Sequence, residues 1–383
     1  MSVDLLTRNA VDLLPAGGLE EKLRLDRPLR VKLGIDVTSP DIHIGRGIPL
    51  QRMRAFQDAG HIGVLIIGDY TTRIGDPSGR SAERPILSDE EIDADAKTYV
   101  EQAFQIIDRE RTEIRFNSEW LSDLDFAEIL RLTRTVTVAQ LLERDDFAKR
   151  FASREPISVS ELLYPLMQAY DSVAVRADVE LGGTDQLYNL LAGRMVMEAY
   201  GLEPQVVLTT PLLLSWDGAK MSSSVGNNIP LTAPPEEQFG RTMRIPDTQL
   251  SEWYTLVLER EPPAGEPMAA KLELARAIAA RSHGDVAAAA AEAHFTRVVR
   301  EGGAPDDISE TPLPEGDPVH LPAALATAFG LSTSEARRLI GQGGVKLGGE
   351  VVRELDVARA TLRDATLQAG KRRFTRFREP ADA

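Results

Sequence analysis

The segment Leu29 to Asp36 (LRVKLGID) sets Val31, Leu33 and Ile35 on one face of a strand, and a helical pattern with Ile44, Ile48 and Phe56 follows until Gly60 ends it. Val64 to Ile67 is then an unbroken apolar run, which suits a strand covered on both faces. Strand, helix and strand in this order demand a parallel sheet with crossover helices, so the first 230 residues are expected to form a Rossmann-like, doubly wound α/β domain. Ser88 with Glu91 three residues on forms a capping box that opens a further helix through Ile92, Tyr99 and Ile106. No internal repeat is visible.

Pro230 and the pair Pro234 and Pro235 mark a change of character, after which Met268 to Ala280 and Asp285 to Val299 carry helical patterns. Gly302 to Pro318 holds four prolines and five acids with no Lys or Arg, and reads as a linker. The expected organisation is therefore a catalytic domain over 1–230, an all-helical domain over 231–303, a linker over 304–318 and a small module over 319–383. A chain of 383 residues accommodates two or three such domains.

Hydrophobic residues make up 43% and charged residues 27%, the balance of a globular protein. No apolar run reaches the roughly 20 residues that span a bilayer. The first twenty residues lack the basic and apolar regions of a signal peptide, so a cytoplasmic location is expected. Absence of cysteine excludes disulfides, thiolate metal sites and cysteine nucleophiles. A net charge of −15 argues against a general nucleic-acid binder. From Val319 onward, however, 11 Lys or Arg stand against 7 Asp or Glu, which permits a small RNA-binding appendix on an acidic body.

Four clusters carry chemistry. Asp36 to Leu50 (DVTSPDIHIGRGIPL) follows the first strand, where a helix N-terminus and its glycines receive an anion and where His43 and Arg46 can donate to phosphate oxygens. Gly68 to Arg84 (GDYTTRIGDPSGRSAER) is a turn-rich loop whose Arg80 and Arg84 can hold a leaving pyrophosphate, or simply an ordinary turn. In Tyr164 to Asp185, Tyr164, Gln168 and Asp171 fall on one helical face, while Thr184 is placed to cap the helix that runs to Tyr200. Lys220 to Asn227 (KMSSSVGN) follows a tight turn and by itself is only a loop.

Together, HIGR at His43 and KMSSS at Lys220 resemble the HIGH and KMSKS signatures of class I aminoacyl-tRNA synthetases. GDPSGRS, YPLMQAYDSVA and ELGGTDQ resemble the tyrosyl branch, and the end from Leu321 looks like the ribosomal-protein-type RNA-binding module, small and α+β, of bacterial tyrosyl-tRNA synthetases. The resemblance implies ATP-dependent activation of tyrosine and its transfer to tRNA(Tyr). It implies that Gln168 and Asp171 hold the tyrosine, with Tyr164, Asp76 and Gln186 around the ammonium and Asp36 touching the amino acid or adenylate. Thr38, His43 and Arg46 would face the ATP phosphates, Gly45 and Gly47 the adenine and ribose, and Asp185 the ribose hydroxyls. Lys220, Met221, Ser222 and Ser224 would form the mobile loop over the triphosphate, with Mg²⁺ held by the phosphates and no metal site of the protein's own. A homodimer, joined through the middle of the nucleotide-binding domain, is implied likewise.

Arg46, Ser223, Val37 and Lys32 depart from the family pattern, the last standing where many bacterial members carry a tyrosine that touches the substrate hydroxyl. The departures leave two other readings open: a paralogue that adenylates tyrosine or an analogue for a different acceptor, and a non-catalytic RNA-binding relative.

Overall fold

The computed structural model describes residues 3–37, 39–76, 88–300, 308–370 and 373–379. Chain contacts divide it into two compact units, Met1–Pro234 with Arg241–Leu274, and Pro235–Gly240 with Ala275–Ala383.

The first unit is built on six strands: β1 (Asp12–Leu14), β2 (Arg30–Ile35), β3 (Ile62–Ile67), β4 (Thr112–Phe116), β5 (Val179–Gly183) and β6 (Val206–Thr210). Their order is β1-β6-β5-β2-β3-β4, parallel throughout except for β1, which runs antiparallel to β6. The chain leaves β2 toward β3 on one side and returns to β5 on the other. That reversal makes the carboxyl ends of β2 and β5 the crevice in which such sheets bind ligands.

Helix α1 (Ile44–Asp58) occupies the span its apolar spacing predicts, with His43 as N-cap and Gly60 at φ +97° just beyond its end. Helix α2 (Asp89–Ala103) opens on the expected Ser88–Glu91 capping box. Both pack on one face of the sheet, where Val31, Leu33, Leu65 and Ile67 join Met53, Phe56, Ala96 and Tyr99 in a single core. Alternate residues of β3, Val64 and Ile66, point to the opposite face and meet Val175 and Ala177 at the end of α3 (Val159–Val175). Each of these buried Val, Leu and Ile side chains contributes about 1.5–3 kcal/mol on leaving water. Helix α4 (Leu187–Ala199) packs beside α3 through Leu166, Ala169, Ala192 and Val196. It starts later than expected. Thr184 begins a 3₁₀ turn, Thr184–Gln186, and Gln186 stands at the N-cap of α4, so Thr184 does not cap it.

The two helical patterns after residue 267 lie along α5 (Pro267–Phe295), which is interrupted between them by Gly284 at φ 82°, ψ 165°. This segment is shared between the two units, so the helical domain expected over 231–303 does not form a unit of its own.

The second unit contains β7 (Ser309–Pro312), β8 (Val319–His320), α6 (Leu321–Phe329), α7 (Thr333–Gly341), β9 (Val345–Leu347), β10 (Glu350–Val351), β11 (Asp356–Val357), β12 (Thr366–Ala369) and β13 (Arg373–Arg378). A five-stranded sheet runs β10-β9-β12-β13-β7, and β8 pairs with β11. Leu321, Leu325, Ile340, Val345, Leu367 and Phe377 form its core. The expected linker is corrected here. Ser309–Pro312 pairs in parallel with β13, and Leu313 is buried in the same core, so the described part of 304–318 belongs to the module's fold.

Candidate active site

Asp36 follows β2 at the crevice. Tyr164 on α3 donates to its Oδ2 at 2.8 Å and Thr71, in the turn after β3, donates to its Oδ1 at 2.7 Å. Gly68 makes this approach possible, because a Cβ there would stand 2.2 Å from Asp36 Oδ1 and 2.5 Å from Thr71 Oγ1. Burial, with Asp36 and Asp76 close by, pushes the Tyr164 phenol well above its ordinary value, so it remains a donor. Gln186, in the turn after β5, donates to Asp76 Oδ2 at 2.8 Å, and Arg144 stands 3.8 Å from Asp76 while forking onto Asp146 at 2.8 Å. Asp36 and Asp76, flanked by Tyr164 and Gln186, make an anionic wall that matches an ammonium group.

Deeper along α3, Asp171 is buried. Trp120 Nε1 donates to its Oδ1 at 2.8 Å and Asn117 Nδ2 to its Oδ2 at 3.5 Å, both from the segment after β4. Burial pushes this carboxyl up to about 7, against the pull of Lys32, Trp120 and Asn117. One turn back, the side-chain Oε1 of Gln168 is buried with no hydrogen-bond partner among the described residues. A buried acceptor without a donor is costly unless a ligand supplies one.

At the other end of the crevice, His43 caps α1 by accepting from the Arg46 backbone N–H through Nδ1 at 3.3 Å. Burial, with Arg46 and Lys220 adding positive charge, lowers its pKa to about 3. The ring is therefore neutral at physiological pH, and with Nδ1 accepting, its proton sits on Nε2 as a donor. A Cβ at Gly45 would press on the His43 ring at 3.2 Å, whereas one at Gly47 would meet Ile106 Cδ1 at 3.3 Å. Gly47 thus also has a packing reason. Arg46 engages the Tyr99 hydroxyl and lies with its guanidinium 5.6 Å from that ring's centre.

Gly182 and Gly183 let the backbone pass close to the Gln186 and Asp185 side chains: a Cβ on Gly183 would stand 2.6 Å from Asp185 Oδ1. Lys220 Nζ meets Asp185 Oδ2 at 2.5 Å, tying the KMSSS segment to the turn after β5. Met221 is buried, and Ser222 and Ser224 share a hydrogen bond of 2.9 Å. Asn227 organises this loop by accepting from the Ser222 N–H at 2.8 Å and donating to Asp217 and to the Lys220 carbonyl. Thr38, Arg80 and Arg84 lie outside the described residues.

Sequence reasoning did not find Thr71, Tyr99, Asn117, Trp120, Arg144 or Asn227. Thr71 and Asn227 lie inside quoted clusters but were given no role there, and the other four come from separate elements without a motif. The only signal was position, since Asn117 and Trp120 follow the carboxyl end of a strand and Asn227 follows the KMSSS segment.

Residues 24–300 match the family described as tRNA synthetases class I (W and Y). The chain is 47% identical to the tyrosine–tRNA ligase of Moorella thermoacetica, over 97% of this chain and 94% of that one. It is 46% identical to the tyrosine–tRNA ligase of Thermotoga maritima, over 98% and 96%. The fold is also that of the tyrosyl-tRNA synthetase complexed with L-tyrosine from Archaeoglobus fulgidus, with a TM-score of 0.62 at 23% identity over 76% of this chain and 98% of that one. A strand-order reversal carrying these motifs, and relatives matched over nearly their whole lengths, lead to one assignment: the chain belongs to the class I tRNA synthetases (W and Y), among the tyrosine–tRNA ligases.

Proposed function

We propose that the chain activates tyrosine with ATP and transfers it to the 3′-terminal adenosine of tRNA(Tyr). The observation that carries this reading is the polarity of the crevice. An anionic wall at Asp36 and Asp76 suits the ammonium, and the buried Asp171 lies further along the same helix to accept from a phenol hydroxyl. At the opposite end, the N-terminus of α1 and a neutral His43 suit phosphates.

In this reading the tyrosine carboxylate attacks the α-phosphorus of ATP, an O–P bond forms, and the bond to the β-phosphate oxygen breaks as pyrophosphate leaves. His43 Nε2–H and Arg46 donate to phosphate oxygens whose charge grows on the way to the transition state. Thr38, Arg80 and Arg84 keep their expected phosphate roles as part of the proposal. Asp185 takes the ribose hydroxyls, which requires Lys220 to leave it, and that movement delivers the ammonium to the triphosphate. Gly45 lets the nucleotide lie close to the backbone, and Met221, Ser222 and Ser224 move with the loop. Mg²⁺ would supply charge neutralisation on the phosphates, which would be its ligands. The terminal ribose hydroxyl of tRNA then attacks the tyrosyl carbonyl and AMP departs.

Residues 319–383 serve as the tRNA handle, supported by Arg337 and Arg338, exposed on α7. Homodimerisation through the segment from β4 to the start of α3 is supported by Phe126, Val138, Phe151 and Val159, all largely exposed there. No helix among the described residues is long and apolar enough to cross a membrane, and we place the enzyme in the cytoplasm with its tRNA. Tyrosine-dependent pyrophosphate exchange, followed by charging of tRNA(Tyr), tests the reading. Exchange without charging would indicate a different acceptor, and absence of both would overturn it.

A further inference from the structure

We propose that Lys32, through its buried pairing with Glu180, is a positioning residue that sets the specificity of the amino-acid pocket. The inference rests on the tyrosine reading above, and it concerns the layer beneath the pocket rather than groups that touch substrate.

Lys32 on β2 and Glu180 on β5 are register partners on the sheet face covered by α3, and their side chains are 0% and 2% exposed. The Lys32 ammonium uses all three protons: it donates to Glu180 Oε1 at 2.7 Å, to Ser172 Oγ at 2.7 Å and to the Gln168 carbonyl at 3.0 Å. Glu180 Oε2 accepts from Ser172 at 2.8 Å and from Gln205 at 2.6 Å. Gln168 and Ser172 are four residues apart, so one ammonium grips a full turn of α3 from below. Gln168 and Asp171 lie in that turn. Its rotation about the helix axis therefore decides where the partnerless Gln168 Oε1 and the Asp171 carboxylate point.

Stability is weak grounds for the pair, because replacing a buried ion pair by apolar side chains of similar volume is often neutral or stabilising. Charge is the stronger ground. Asp171 faces Lys32 from β2, Glu180 from β5, Trp120 and Asn117 from the segment after β4, and Tyr164 on its own helix. Lys32 is the sole cation among these groups, and it works against the burial that raises Asp171, while Glu180 adds to that rise. Without the ammonium, the carboxylate that distinguishes a phenol from a bare ring would hold its proton to higher pH and would accept less well.

The test uses the full-length chain with Lys32→Met, Glu180→Gln and the double variant Lys32→Met/Glu180→Gln, which removes both charges and keeps the side-chain shapes. Tyrosine- and phenylalanine-dependent pyrophosphate exchange is measured between about pH 6 and 9, together with thermal melting. Lys32→Met is expected to raise the tyrosine KM about tenfold or more at neutral pH, as one pH unit of weakened ionisation implies, with kcat and the ATP KM within about threefold. The pH below which the tyrosine KM climbs should move upward, and the preference for tyrosine over phenylalanine should narrow. Glu180→Gln should move that pH downward. The double variant should regain the melting temperature but only a minor part of the tyrosine KM, because Glu180 contributes less than Lys32 at Asp171, and it decides the matter if Lys32→Met alone does not fold. Recovery of both in the double variant, or an equal loss of kcat and ATP affinity with no movement of the pH profile, would overturn the proposal. An unmodified protein without tyrosine-dependent exchange would instead refute the functional reading itself.

Discussion

Asp171→Asn should make the protein more stable at alkaline pH while disabling it. The native carboxyl is buried and raised from 3.8 to about 7, with burial as the main cause. Between those values the folded chain keeps a proton that the unfolded chain has released, so folding takes up a proton and stability falls as pH rises from about 4 to about 7. Above about pH 7 the penalty is constant, and a span of roughly three pH units corresponds to about 4 kcal/mol. Asparagine mimics the protonated acid, still accepts from Trp120 Nε1 and carries no such penalty. The stability difference between variant and parent should therefore widen by a few kcal/mol between about pH 4.5 and pH 8. Urea unfolding followed by tryptophan fluorescence reads this directly, since Trp120, Trp216 and Trp253 all belong to the first unit. The same variant should lose tyrosine affinity by roughly a hundredfold, as expected for a charged acceptor lost from a buried hydrogen bond. A difference in stability independent of pH, or a variant less stable than the parent at pH 8, would refute the assignment of Asp171 as a carboxylate held at a cost.

Gly68→Ala should displace Asp36 and raise the tyrosine KM about tenfold or more, because the new methyl would overlap Asp36 Oδ1 and Thr71 Oγ1; steady-state exchange kinetics measure it. Arg46→Ala should slow adenylate formation far more than it weakens tyrosine binding, while Arg46→His retains much of the rate, as single-turnover kinetics would show. Arg337→Glu with Arg338→Glu should leave pyrophosphate exchange unchanged, weaken tRNA binding and flatten its salt dependence by about one to two in the log–log slope.

Elements whose signals are local were legible in the sequence. The apolar spacing of Ile44 to Phe56 and its closing glycine give the bounds of α1, and the Ser88–Glu91 box gives the start of α2. Tyr164, Asp76 and Gln186 were expected around the ammonium and Asp36 against the amino acid or adenylate; the fold sets Tyr164 against Asp36 and Gln186 against Asp76. What escaped depended on partners distant in the chain. β7 has the composition of a linker and is largely exposed, and only its parallel pairing with β13, more than sixty residues later, makes it a strand. Thr184 is a good cap by type, but the backbone makes a 3₁₀ turn over Thr184–Gln186 before α4 begins, which moves the N-cap to Gln186. Lys32 stood out only as a departure from the family pattern; its partner Glu180 lies on another strand, and only the sheet register brings the two together.

The central claim is that one crevice binds tyrosine by both its ammonium and its phenol and activates it with ATP. Pyrophosphate exchange with the purified protein, with tyrosine and phenylalanine in parallel, tests this most directly. Robust exchange with tyrosine and at least about a hundredfold less with phenylalanine is expected, because phenylalanine would deny the buried Asp171 the phenol donor and leave it only Trp120 and Asn117. Equal exchange with the two amino acids, or none with tyrosine, would contradict the account.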